Sequence, residues 1–229
     1  MSHALRMTWV DLAFLHWRVS AEQLRPLVPP QLQLDLFDGS AWLGITPFRM
    51  TAVRPVLMPP IPTATDFPEL NVRTYVRFGA RAGVWFFSLD AASWLAVTTA
   101  RTTIGLPYMH ARMEERRVGE DVQYSSTRTE SAHPHATFRA TYRPTGPVYA
   151  SQPGSLDHWL TERYSLFARR AGTLLRLDIE HVPWPLRHGA CEVRENTMAT
   201  AAGISLPPDA PHVRYAQQLD VVAHWPARA

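Results

Sequence analysis

The sequence predicts an α+β protein in which a strongly curved antiparallel sheet closes into a barrel flanked by a few helices. Three observations carry this. Runs of alternating polar and apolar residues recur in pairs across short links containing Gly, the pattern of β-hairpins. Only a few stretches combine helical spacing with capping residues. No internal repeat or low-complexity tract points to a solenoid or propeller. Strands that follow one another by hairpins, rather than alternating with helices, argue against a doubly wound parallel sheet. So many successive strands require curvature, and a closed sheet of this kind can hold a small ligand. With 229 residues, 46% hydrophobic and 19% charged, the chain suits a single domain spanning residues 1–229.

Taken in order, Ser20-Ala-Glu-Gln23 resembles a capping box and opens a short helix to about Leu27, which Pro29 and Pro30 stop. QLQLDLF then alternates Leu32, Leu34 and Leu36 with polar neighbours, and Asp38-Gly39 turns it into AWLGITPF as a first hairpin. The run from Met50 to Pro68 holds five prolines and no period, so it reads as a long loop, either a lid or interface or a plain surface crossover. ELNVRTYVRF and VWFFSLDA form a stronger hairpin across GARAG. ASWLAVTTARTTI suits a helix stopped by Gly105, and YMHARMEERR with DVQYSSTR makes a third hairpin. ATFRATYR adds a strand. GSLDHWLTERYSLFARRAG reads as the clearest helix, with Ser155 as N-cap, a stripe from Leu156 to Phe167, and Gly172 beyond its end. LLRLDIEHV, ACEVREN and HVRYAQQLDVVAHW are the final strands.

Composition narrows the function. No window approaches ~20 apolar residues, and Arg6, Asp11 and His16 interrupt the region where a signal peptide needs an apolar core. No membrane association is expected, and the expected location is cytoplasmic, the alternative being a secreted chain whose signal has been removed. The net charge of +3 is spread along the chain, so no nucleic-acid partner is expected. Cys191 is alone, which leaves no disulfide framework and no cysteine-rich zinc site. His133-Pro-His135 lacks a convincing third ligand, so no metal and no cofactor are expected. All 23 basic residues are arginine and lysine is absent. A guanidinium does not lose its proton in proteins, so no side chain here can form a Schiff base.

At FPELNVRTYV, GVWFFSLDA, ARTTIGLPYMHA, SLDHWLTERYSLF and HVPWPL the chain resembles the uncharacterised DUF2071 (YqjF-like) family, from about Trp9 onward. That family is similar to the acetoacetate decarboxylase-like superfamily, which implies a cone-shaped antiparallel barrel with flanking helices around an apolar pocket. In the decarboxylases the segment corresponding to ARTTIGLPYMHA resembles G-R-E-L-x-G-x-P-K-K-x-A. This chain retains Arg101, Gly105, Pro107 and Ala111, but the two lysines fall on Tyr108 and Met109. The scaffold carries over without its electrophile, and the resemblance places a carboxylate at Glu69.

On a strand, Glu69, Asn71, Arg73, Tyr75 and Arg77 share one face, which is either solvated or lines the interior. In the second case Arg73 is a candidate to hold a ligand carboxylate and Glu69 to move a proton. Arg101 is a second candidate carboxylate anchor, the alternative being a helix C-terminal cation. Tyr108 and His110 point to one side of their strand, as candidate oxyanion and proton partners or as wall packing. His16 reads as buried rather than as the partner of Asp11, and His181 to Pro185 as an aromatic wall. The expected function is binding of a small organic acid or carbonyl compound in an internal pocket, any catalysis being acid/base without lysine. The alternative is a non-catalytic binding or assembly module with a filled barrel. The resemblance also implies a homo-oligomer.

Overall fold

In a computed structural model describing residues 3–56 and 65–229, strands predominate and the helices are short. The elements are β1 (His3–Val19), α1 (Ala21–Leu24), β2 (Gln33–Leu34), β3 (Ala41–Pro55), β4 (Phe67–Phe78) and β5 (Arg81–Ala91). Then come α2 (Trp94–Thr103), β6 (Tyr108–Val118), β7 (Asp121–Arg128), β8 (Thr137–Tyr149), α3 (Leu156–Thr161) and β9 (Ser165–Arg170). The chain ends with β10 (Thr173–Glu180), β11 (Leu186–Asn196), α4 (Met198–Ala201), β12 (His212–His224) and β13 (Ala227–Arg228).

These thirteen strands share one sheet, and two extra pairings join it back to itself. Because β4 pairs with β5, the path β4–β5–β6–β7–β8–β11–β12–β1–β3 closes as a large ring. Because β10 pairs with β12, a smaller ring runs β5–β9–β10–β12–β1–β3–β4. The strands β12, β1, β3, β4 and β5 are common to both. Strand residues point alternately to opposite faces, so this shared wall serves two interiors. Leu70 and Val72 of β4 pack with Leu15, Ile45, Tyr124 and Phe138 in the filled large ring. Glu69, Asn71 and Arg73 face the smaller ring, where they line a cavity.

Most pairs are antiparallel, but β5 runs parallel to both β6 and β9. The β5–β6 link includes α2, and a crossover of that kind is what a parallel pair needs. Ser93 caps α2 by accepting from the Ala96 N–H. Gly105 ends the turn at φ 76°, a conformation that favours glycine, and its N–H donates to the Ala100 carbonyl at 3.2 Å. At Gly83 a Cβ would lie 2.5 Å from the Ser165 carbonyl oxygen, so glycine permits the close approach of β9 to β5.

Three expectations are corrected. The long helix over 154–172 is α3 alone: Glu162 leaves helical geometry at ψ 70°, and Ser165–Arg170 joins the sheet as β9. Trp184 fixes this exit, its Nε1 donating to the Thr161 carbonyl and its main-chain N–H to Glu162. Ala171 and Gly172, both at positive φ, form the tight β9–β10 turn rather than a helix end. Of QLQLDLF only Gln33–Leu34 is strand, and it pairs with β4 instead of β3, although Asp38-Gly39 does form a turn at positive φ. The Met50–Pro68 loop is shorter than expected, because β3 reaches Pro55 and β4 starts at Phe67; its lid-or-interface reading falls on residues 57–64, outside those described.

A buried ion pair ties the large ring together. Arg128 Nη2 and Nε lie 2.8 and 3.0 Å from the two Asp90 oxygens, with the side chains 3% and 0% exposed. Removing one partner strands a buried charge, so Arg128→Met is expected to lower stability by about 3–5 kcal/mol in urea denaturation. Arg139→Met, which opens the exposed pair with Glu195, is expected to cost under about 1 kcal/mol.

Candidate functional site

The cavity has a volume of about 360 Å³ and lies inside the smaller ring beneath α2, whose Ala96, Thr99 and Ala100 form part of its roof. The cavity disfavours the filled-barrel alternative. Glu69, near the start of β4, is 2% exposed. Tyr108, the first residue of β6, donates its hydroxyl to Glu69 Oε2 at 2.9 Å. Tyr124, from the large ring, donates to the Glu69 main-chain carbonyl at 2.8 Å and fixes the backbone from behind. Burial pushes the Glu69 carboxyl up from 4.5 to about 8, offset only in part by the Tyr108 hydrogen bond. At neutral pH it is mostly a neutral acid.

Two residues along β4, Asn71 stands opposite Thr46 of β3; Asn71 Oδ1 and Thr46 Oγ1 are buried without hydrogen-bond partners. Two residues further is Arg73, whose guanidinium lies over the rings of Phe14 and Tyr75 at 5.4 and 5.9 Å. Its Nε is buried without a partner. Gly44 separates Arg73 from His16, and a Cβ there would lie 3.3 Å from the first and 3.2 Å from the second. His16 is buried, and its Nε2 shares a 2.6 Å hydrogen bond with the Tyr75 hydroxyl. Burial first, then Arg73, holds its imidazole well below the usual histidine range, so it is neutral.

Arg163 completes this end. It lies between α3 and β9, 6% exposed, with Nε donating to the Trp159 carbonyl and Nη1 2.6 Å from Asp35. Its Nη2 has no partner. Away from the arginines the lining turns apolar, with Phe48, Met50, Phe67, Met7 and Trp9, the last stacked on Trp184 at 5.7 Å.

Of the residues expected at the site, Glu69, Arg73 and Tyr108 line one cavity. Arg101 and His110 do not, which corrects both expectations. Arg101 reaches away from the cavity, its Nη2 2.8 and 2.7 Å from the Glu130 oxygens and its Nε donating to the Tyr108 carbonyl. Its charge is neutralised by a carboxylate of the chain itself, so it anchors α2 to β6. His110 donates its main-chain N–H to the same Glu130, and its Nδ1 lies 3.0 Å from Thr129 Oγ1 at the surface. His16 is buried as expected, with Tyr75 rather than Asp11 for a partner. Trp184 forms the expected aromatic wall. Sequence reasoning missed Arg163, whose surroundings read as mid-helix, and it passed over Thr46 and Trp9, which carry no motif.

This closed, doubly joined sheet around one cavity defines the acetoacetate decarboxylase-like fold. An acetoacetate decarboxylase from Legionella pneumophila superposes with a TM-score of 0.68 at 13% identity, covering 100% of this chain and 88% of that one. The enduracididine biosynthesis enzyme MppR complexed with pyruvate superposes with a TM-score of 0.65 at 12% identity, covering 100% of this chain and 91% of that one. These likenesses show the fold alone. The chain belongs to the DUF2071 family, described as an uncharacterized conserved protein and matched over residues 6–220. It is 43% identical over 224 residues to the uncharacterized protein YqjF of Bacillus subtilis (strain 168), covering 98% of this chain and 91% of that protein. No described helix is long and apolar enough to cross a membrane.

The Glu69 proton has a measurable consequence for stability. The unfolded chain ionises this residue at its ordinary value, whereas the folded chain holds the proton to about pH 8. Its contribution is full at low pH and is lost as pH rises through that window. Wild-type unfolding free energy is expected to fall more steeply between pH 5 and 8 than that of Glu69→Gln, measured by urea titration at each pH. Glu115, pushed up to about 7 by burial, is present in both proteins and cancels in the comparison.

Proposed function

We propose that the chain binds a small organic acid bearing a carbonyl group and moves a proton on it with Glu69. The observation that carries this reading is a neutral buried carboxyl and a guanidinium without an acidic partner on one cavity wall, at Glu69 and Arg73. A carboxylate ligand satisfies the Arg73 Nε–H and balances its charge. Glu69, with its proton affinity raised to about pH 8, is a strong base once ionised and suits abstraction of a proton from the carbon beside a carbonyl. Tyr108 holds Glu69 Oε2, leaving Oε1 for the ligand, and its phenol stays protonated because burial and Glu69 raise its pKa well above the usual range. The apolar lining keeps competing water low. That MppR has been obtained with pyruvate bound supports a small oxo acid as the first probe.

The chain holds no lysine, so the reaction proceeds without a Schiff base. A ligand-binding role without chemistry shares the Arg73 anchor and differs only at Glu69.

The test is proton–deuterium exchange at the methyl group of pyruvate and related oxo acids, followed by NMR in D₂O, with binding measured separately. The wild-type protein is expected to accelerate exchange, with a rate that rises with pH and levels above about 8. Glu69→Gln should abolish the acceleration while binding persists, and Arg73→Met should weaken binding by about tenfold or more, the cost of losing a charge-assisted contact. Exchange unaffected in Glu69→Gln, or binding unaffected in Arg73→Met, removes the assignment.

A further inference from the structure

The cavity lining changes character along β4, polar toward Arg73 and apolar toward Phe67, and this bears on the length of a ligand. Its charged end holds two arginines on different elements, Arg73 of β4 and Arg163 before β9. Each presents a buried N–H without a partner, Nε of the first and Nη2 of the second. Both guanidinium groups lie near the Tyr75 ring, 5.9 and 5.1 Å from its centroid. Asp35 is the carboxylate paired with Arg163, and it is shared with the half-exposed Arg77. Setting aside the more exposed Arg77, two guanidinium charges, the half-buried Arg73 and the buried Arg163, accompany one carboxylate, and burial without full pairing is costly. One further negative charge, with an oxygen for each orphaned N–H, balances the set.

Volume and polarity describe the remainder of the ligand. At the ~30 Å³ that a water takes in the liquid, a cavity of about 360 Å³ accommodates roughly twelve non-hydrogen atoms, about twice the content of a three- or four-carbon oxo acid. Glu69 stands four residues from Arg73, a rise of ~13 Å between their Cα atoms, so it marks the middle of the cavity and not its end. Past Glu69 the wall continues through Phe67, Met50, Val53 and Met7. Arg54 also lines this far end, but no donor atom of it is buried and unpartnered, in contrast to Arg73 and Arg163.

Resting on the acid-binding reading above, we propose that the ligand is a medium-chain carboxylic acid of about six to eight carbons. Its carboxylate is held jointly by Arg73 and Arg163, a mid-chain oxygen lies between Glu69 and the Asn71–Thr46 pair, and an apolar tail fills the Phe67–Met50 end. Arg163 is thereby a second anchor for the acid, and the tail end sets specificity by length. Asn71 and Thr46, each with an unsatisfied buried oxygen, favour a hydroxyl or enol at mid-chain over a bare methylene.

Isothermal titration of the full chain with straight-chain acids from butyrate to octanoate, their 3-hydroxy derivatives and the matching n-alcohols tests this directly. Each added methylene is expected to tighten binding about fourfold, the value of a buried CH₂. Acids should bind at least tenfold tighter than alcohols of equal length, and 3-hydroxy acids tighter than the unsubstituted ones. Arg163→Gln should narrow the acid–alcohol gap without changing the dependence on length, and Val53→Phe should flatten that dependence. Acids that bind with no dependence on length overturn the tail assignment while leaving the acid-binding reading intact. Alcohols binding as tightly as acids overturn the two-arginine anchor. No binding by any acid, including pyruvate, overturns both readings together. The wild-type series decides these outcomes even if a variant fails to fold.

Discussion

Along β4, from Phe67 to Arg77, no side chain is freely exposed to water, so each belongs to one of two interiors, and this constraint organises the molecule. An ordinary half-buried strand places its polar residues in water. β4 has an interior on each side, so Leu70 and Val72 fill one ring while Glu69, Asn71 and Arg73 are driven into the other. Polar groups placed in an apolar interior need partners or they cost stability. Trp9, Thr46, Asn71 and Arg73 on the β12–β1–β3–β4–β5 wall each carry a buried polar atom with no partner within the chain, and these four line the same cavity; His16, Trp42, Ser88 and His224 carry others away from it. Unpartnered polar groups converging on an apolar cavity mark a binding site rather than a core.

Keeping one set of side chains aimed at a cavity inside a curved sheet requires the alternation to be broken deliberately. On β1 the cavity-lining residues are Leu5, Met7 and Trp9, then Leu12, and the change of parity falls at Asp11, with φ 51° and a slip of one residue against β3. Asp11 is held there by Arg117 and Tyr215 at its carboxylate and by Tyr142 at its carbonyl. On β3 the lining shifts from Thr46, Phe48 and Met50 to Val53, across Ala52 at φ 52°. On β5 it shifts from Val84 and Phe86 to Leu89, with Phe87 as the extra residue opposite β4. Each is a β-bulge, which bends the strand and restores the inward direction after the sheet has turned.

The same bulges decide what was legible in the sequence. β4 carries no slip against β3, so its polar row could be read residue by residue; the shared face followed from period two, while its inward direction and the carboxylate at Glu69 came from the family resemblance. The hairpins β4–β5 and β6–β7 were legible for the same reason, with glycine at their turns. β1, the longest strand, went unread because Asp11 breaks its period in the middle. Arg163 was hidden differently: Ser155 and the apolar stripe are a genuine helix start, and only a tertiary contact from Trp184 ends that helix after Thr161. Arg101 was over-read, since a motif position gives no information about Glu130, which lies 29 residues further on and takes up its charge.

The exchange of lysine for tyrosine at position 108 and the state of Glu69 are two sides of one electrostatic fact. An ammonium within hydrogen-bond reach of a buried carboxyl stabilises its ionised form and lowers its pKa. A phenol donates a hydrogen bond but carries no charge, and here burial prevails, leaving Glu69 at about 8. The arginines do not alter this. Arg73 stands four residues further along β4, and Arg163 is engaged with Asp35. Tyrosine at position 108 leaves no amine for a Schiff base and, by the same step, leaves the neighbouring carboxyl a group that titrates near neutrality. On the reading proposed above, proton transfer rests on this acid.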